Sequence, residues 1–194
     1  MTLKKFLLAC SLISAFALHA DEAPDFTLTD TNGSEHSLSD FAGKPVVLEW
    51  FNAGCPFVQK HYSKGNMQNL QSTYTEEGVV WLTIVSSAPG KQGHGSAVEH
   101  NAKISEWKIA SSAFLIDEDG TVGKAYDAKV TPHMFVINAE GEVVYEGAID
   151  SKRSTSPDDI PDSTNYVKEA LDAVLAGEAV DVASTQPYGC SVKY

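Results

Sequence analysis

Two runs of this sequence, VVLEWF at 46–51 and GVVWLTIV at 78–85, are nearly all apolar. A strand with one wet face alternates apolar and polar residues; a continuous apolar strand must be covered on both faces. Such strands require a layered sheet, and here they alternate with helical patterns. Pro56 follows Cys55 directly and suits a first helical position. The spacing predicts a helix from Pro56 that Gly65 breaks and that Met67, Leu70 and Tyr74 resume. The Gly-rich stretch 86–96 leads to a second helical pattern near 97–108. AFLI at 113–116 reads as a short strand, and HMFVIN and EVVYEG flank Ala139-Glu140-Gly141 as a hairpin. Two shorter alternating runs around Asn32-Gly33 read as an N-terminal hairpin. Val167, Ala170, Leu171, Val174 and Leu175 share one helix face, with Ser163 or Thr164 as its cap and Gly177 as its end. This order implies an α/β class with a mixed central sheet, helices on both faces and an antiparallel edge.

The 194 residues suit one domain rather than two. The sequence shows no repeat, no low-complexity stretch and no interdomain linker. With 26 acidic and 14 basic side chains the formal charge is −12. That balance argues against a nucleic-acid partner and against docking on anionic lipid. Residues 1–20 combine a basic start, MTLKK, with the apolar run FLLACSLISAFAL and small residues after it. They read as a signal peptide, too short to span a bilayer. The domain is then 21–194, in the periplasm or secreted, with no stable membrane insertion after cleavage. Removing the leader takes away Cys10 and leaves Cys55 and Cys190. Neither belongs to a disulfide framework, so each needs its own reason to exist.

Cys55 sits where a buried strand gives way to a helix start. Unpaired N–H groups and the helix dipole favour an anion there, which lowers a thiol pKa. The bland alternative is a buried core cysteine. Glu49, inside VVLEWF, is an acid in a strand that should be buried, with a raised pKa. A group of that kind is able to hand over a proton in thiol chemistry; the alternative is a solvated edge glutamate.

WFNAGCPFVQKHY (50–62), VTPHMFVIN (130–138) and the hairpin after it resemble the thioredoxin fold. CPFV, TPHMFVI, GAID and GCSVKY together resemble the AhpC/TSA-type redoxins, in particular the peroxiredoxin-like group, over most of residues 24–194. The resemblance implies that Cys55 is the attacking cysteine and that Thr131-Pro132 is the cis-proline dipeptide facing it. It implies that the backbone edge at this dipeptide binds substrate as an added strand, and that Glu49 stands where thioredoxins keep a buried acid. Of the aromatic residues around Cys55, Trp50 and Phe51 suit the core and Phe57 a peptide-binding surface.

The departures are as informative. Val58 replaces the second cysteine of C-x-x-C. Leu48 and Asn52 stand where peroxiredoxins carry proline and threonine, and Asn52 keeps a hydrogen-bond donor. The only arginine is Arg153. Fast peroxide reduction is therefore not the expectation, though peroxide stays a second oxidant to test. Cys190 is the only intramolecular partner for Cys55. Their bond is either permanent and structural, or reversible with Cys190 resolving, or never formed because Cys190 pairs with another chain.

His61, His94, His100 and His133 match no tight metal motif, and no metal or organic cofactor is expected. His61 reads as a surface residue, and His133 as a neighbour that helps hold the thiolate. The expected function is an exported thiol oxidoreductase acting with a protein thiol or disulfide partner or a recycling reductant. The alternative is a non-catalytic binding module or metal chaperone with a structural Cys55–Cys190 disulfide.

Overall fold

A computed structural model describes residues 21–194. Residues 1–20, read from sequence as a signal peptide and carrying Cys10, lie outside the described residues. Strands β1 (Thr27–Asp30) and β2 (Glu35–Ser37) form the N-terminal hairpin. Its turn uses Gly33 at φ +87°, a conformation glycine adopts without a Cβ clash. Next come β3 (Val46–Trp50), α1 (Pro56–Ser63), α2 (Asn66–Glu76) and β4 (Val80–Val85). Then follow α3 (Ala97–Trp107), β5 (Ala113–Ile116), α4 (Thr121–Ala125), β6 (Val130–Thr131) and β7 (His133–Ile137). The chain continues through β8 (Val143–Gly147), α5 (Tyr166–Ala176) and β9 (Cys190–Ser191).

The main sheet has the order β2-β1-β5-β4-β3-β7-β8, with β3, β4 and β5 parallel and the other pairs antiparallel. This is the mixed α/β sheet of a thioredoxin-like fold. The two-residue period of β3 divides its side chains between two cores. Val47 and Phe51 join the layer with α1, α2 and α5, whereas Val46, Leu48 and Trp50 join the layer with α4 and the N-terminal segment. Each large apolar side chain fully buried here is worth roughly 1.5–3 kcal/mol. Among the described residues, no helix is long and apolar enough to cross a membrane.

The cap of α5 corrects one expectation. It is neither Ser163 nor Thr164 but Asn165, whose side chain accepts the Lys168 N–H at 2.9 Å. Ser151 donates its N–H to the Thr164 carbonyl, and Asp150 bridges to Asn165, so the chain stays extended until that point. The short elements α4, β6 and β9 were not foreseen; each is too brief to carry a hydrophobic period.

Candidate active site

β3 carries the chain to the middle of the sheet. A turn follows in which the Cys55 N–H bonds the Asn52 carbonyl at 3.0 Å. Cys55 is the N-cap of α1, with Pro56 in its first turn, and its side chain is fully buried. The thiol donates to the Thr131 carbonyl at 3.0 Å. The Thr131–Pro132 peptide is cis, and the buried Thr131 hydroxyl has no hydrogen-bond partner among the described residues. β9 pairs with β6 so that Cys190 stands opposite Thr131. Cys55 and Cys190 are both free thiols.

Burial alone would push the Cys55 thiol up. Hydrogen bonds to its sulfur from Thr131 and from the side chain and backbone of Cys190, with Val58, outweigh that and leave it below its ordinary value. Cys190 moves the other way: burial, then its bond to Cys55 and the charge there, push it up to about 11. The Cys55 thiol thus ionises more readily than an ordinary one and the Cys190 thiol less readily. That asymmetry is what a nucleophile with a waiting partner needs.

Glu49 is completely buried. It accepts from Tyr62 Oη at 2.7 Å, Trp81 Nε1 at 2.9 Å, Gln71 Nε2 at 3.0 Å and Thr83 Oγ1 at 3.3 Å. Burial raises its pKa despite these four donors. Asn52 is committed to the backbone: it donates to the Gln92 carbonyl at 3.0 Å and accepts the Gly54 N–H at 2.8 Å. It braces the 86–96 loop against the cysteine turn. Phe57 is half-buried, its ring 5.7 Å from that of Tyr188. Trp50 and Phe51 are core residues.

The Redoxin family model matches residues 18–165, about three quarters of the chain. This chain belongs to the Redoxin family. It is 32% identical over 123 residues to the thiol-disulfide oxidoreductase ResA of Bacillus subtilis, a match covering 63% of each protein. It thus spans less than two thirds of the length of that relative. It is 27% identical over 166 residues to the peroxiredoxin Bcp of Escherichia coli, covering 77% of this chain and 94% of the other. An uncharacterized conserved protein from Geobacillus kaustophilus superposes with a TM-score of 0.77 at 26% identity, covering 93% and 94% of the two chains.

This redoxin also has a buried polar cluster that sequence reasoning missed. Lys60 Nζ, fully enclosed, donates to Asp150 Oδ2 at 2.8 Å, to the Lys152 carbonyl at 2.8 Å and to Tyr188 Oη at 3.2 Å. Tyr188 Oη in turn donates to Asp150 Oδ1. These residues come from α1, the loop after β8 and the segment just before Cys190. The one signal in sequence was that Lys60 adjoins the apolar face of a short helix, and local pattern does not name its partner.

The histidines correct two readings. His61 is not on the surface: it is fully buried, its Nδ1 bonded to Asn66 and its Nε2 3.8 Å from Asp150. α1 is covered on several sides, by α2 and by the loop after β8, so even its flanks face protein. His133 offers no positive charge to Cys55 at neutral pH. Burial, with a contribution from Lys129, lowers its pKa to about 4, and its Nδ1 accepts the Lys129 N–H at 3.3 Å. Among the described residues no three potential metal ligands cluster.

The neutral His133 has a measurable consequence. Its folded pKa lies below the unfolded 6.5, so the unfolded chain binds the proton first, and stability drains away between about pH 6.5 and pH 4. Glu49, raised instead, works in the opposite sense. The two are separated by comparing variants. Acidification from pH 7 to pH 5 is expected to cost His133→Phe about 2 kcal/mol less than the wild type in urea unfolding. Equal losses in the two proteins would show that His133 already takes up its proton in the folded state.

Proposed function

We propose that this redoxin is an exported two-cysteine thiol oxidoreductase, with Cys55 as nucleophile and Cys190 as resolving cysteine. The observation that carries this reading is the register of β6 and β9. It sets Cys190 opposite Thr131, whose carbonyl receives the Cys55 thiol. Two sulfurs held at one backbone position, with pKa values driven apart, suit reversible disulfide formation. The leader-like segment 1–20 supports export to an oxidising compartment.

In the first half-reaction the Cys55 thiolate attacks a sulfur of a substrate disulfide and expels the other sulfur as a thiolate. With a hydroperoxide it attacks the terminal oxygen, expels an alcohol or water and leaves a sulfenic acid. In the second, Cys190 gives up its proton and its sulfur attacks the Cys55 sulfur. The bound group leaves, and the Cys55–Cys190 disulfide remains. The protein has then lost two electrons, and an external dithiol or thiol pair must restore them. Glu49, whose pKa burial raises, is the buried acid of this half of the core and the group assigned to take up or release a proton. Thr131, by its carbonyl, holds the Cys55 sulfur in place. Pro132 follows it and adds no backbone donor. Arg153 is exposed in a loop, and Asn52 is spent on the backbone. Among the described residues there is therefore no cluster built to polarise a peroxide, which favours disulfide substrates.

Peptide mass spectrometry tests this directly. Protein reduced and then treated with one equivalent of oxidised glutathione is expected to carry the Cys55–Cys190 disulfide and to lose it in mild reductant. A bond that resists reduction would make the pair structural. Two thiols left untouched would remove the enzymatic reading.

A further inference from the structure

The backbone edge beside the nucleophile is taken by the chain itself. After α5 the tail first runs along β8: Glu146 donates its N–H to the Ala183 carbonyl, and Thr185 donates to that of Glu146. It then crosses to the active site, where Tyr188 is tied to Lys60 and Asp150 and stacks edge-on with Phe57. Gly189 follows at φ +153°. A Cβ there would fall 2.0 Å from the Thr131 carbonyl oxygen, so only glycine lets the tail pass this close. Cys190 and Ser191 add as a strand to Thr131 and Val130, and Val192 donates to the Lys129 carbonyl at 3.0 Å. Beyond them, Ala88 donates to the Lys193 carbonyl at 2.8 Å, and Tyr194 Oη donates to that of Ala128 at 2.8 Å. Residues 188–194 are thus held at both ends and on both sides.

An extended peptide reaching Cys55 along this edge would need the same carbonyls and N–H groups. From this, and resting on the two-cysteine reading above, we propose that the tail is a specificity element. It docks as a substrate strand supplied in cis and confines Cys55 to small disulfides, while disulfides within extended peptides react only when the tail lifts. The chemistry is the same for both: the Cys55 thiolate bonds one substrate sulfur and the other leaves as a thiolate. What differs is whether the substrate needs backbone space that the tail fills.

The test uses the Cys190→Ser chain, which keeps the tail docked and stops the reaction at the mixed disulfide. Two probes share one leaving group, thionitrobenzoate: its mixed disulfide with mercaptoethanol, and its mixed disulfide with the central cysteine of an extended peptide of about ten residues. Release of the coloured thiolate reports the rate of attack. Removing residues 187–194 is expected to accelerate the peptide probe by about tenfold or more and the small probe by less than about threefold. Should the shortened chain lose its near-UV circular dichroism, Gly189→Ala in the Cys190→Ser chain carries the same comparison, because its Cβ forces the strand off Thr131. Equal acceleration of both probes, or an unchanged peptide rate, overturns the proposal. If Cys55 attacks neither probe in any variant, the two-cysteine oxidoreductase reading fails first.

Discussion

Cys55→Ser is expected to reduce disulfide turnover to background, a loss of about 10³-fold or more, because no other thiolate stands at the site. Cys190→Ser is expected to behave differently. Its first attack survives and the substrate stays attached to Cys55, so a burst of one equivalent precedes a stall. Steady turnover then depends on external thiol and falls by about 10²-fold at millimolar concentrations, since a preplaced thiol has a far higher effective concentration. The burst rate should rise with pH with a midpoint below that of an ordinary thiol and then level off. Stopped-flow traces of both variants across pH supply the check. A Cys190→Ser chain that turns over like the wild type would remove Cys190 from the mechanism.

Breaking the buried Lys60–Asp150 pair is the second large effect. Lys60→Met leaves the Asp150 carboxylate in the interior with only the Tyr188 hydroxyl and the Lys152 N–H as donors. An orphaned buried charge of this kind costs about 3–5 kcal/mol, which for a domain of this size lowers Tm by on the order of 10 °C. Asp150→Leu alone is expected to cost a similar amount by stranding the ammonium. The double variant should recover much of the loss, because neither charge then remains to be buried without its partner. Urea unfolding of the three proteins measures the coupling. A loss below about 1 kcal/mol for Lys60→Met would place the pair among weak surface ion pairs. Since Tyr188 leans on the same carboxylate, the single variants should also loosen the strand carrying Cys190 and slow disulfide closure.

Much of the fold was legible in the chain because its signals are local. VVLEWF and GVVWLTIV announced strands covered on both faces, and both are central in the sheet. Cys-Pro after a buried strand marked a helix start with a thiol at its cap, and Cys55 is that cap. An acid inside an apolar strand reads as buried with its pKa raised, against the alternative of a solvated edge, and Glu49 is buried and raised. Each inference uses only residues close in sequence, where side-chain period and backbone chemistry decide the outcome.

What depended on distant partners was not legible. No local pattern says that Tyr62, Gln71, Trp81 and Thr83 converge on Glu49, or that Lys60 finds Asp150. His61 and His133 looked available as ordinary side chains; their burial comes from neighbours far along the chain. The seating of Cys190 is the clearest case. By itself the sequence determined that an α/β sheet would carry one thiol at a helix cap, with a second cysteine in a polar tail. Only the tertiary structure decided that the tail crosses to β6 and lays Cys190 against Thr131. Strand addition at an edge is settled by which backbone groups remain unpaired once the sheet has closed, and residue spacing holds no record of that.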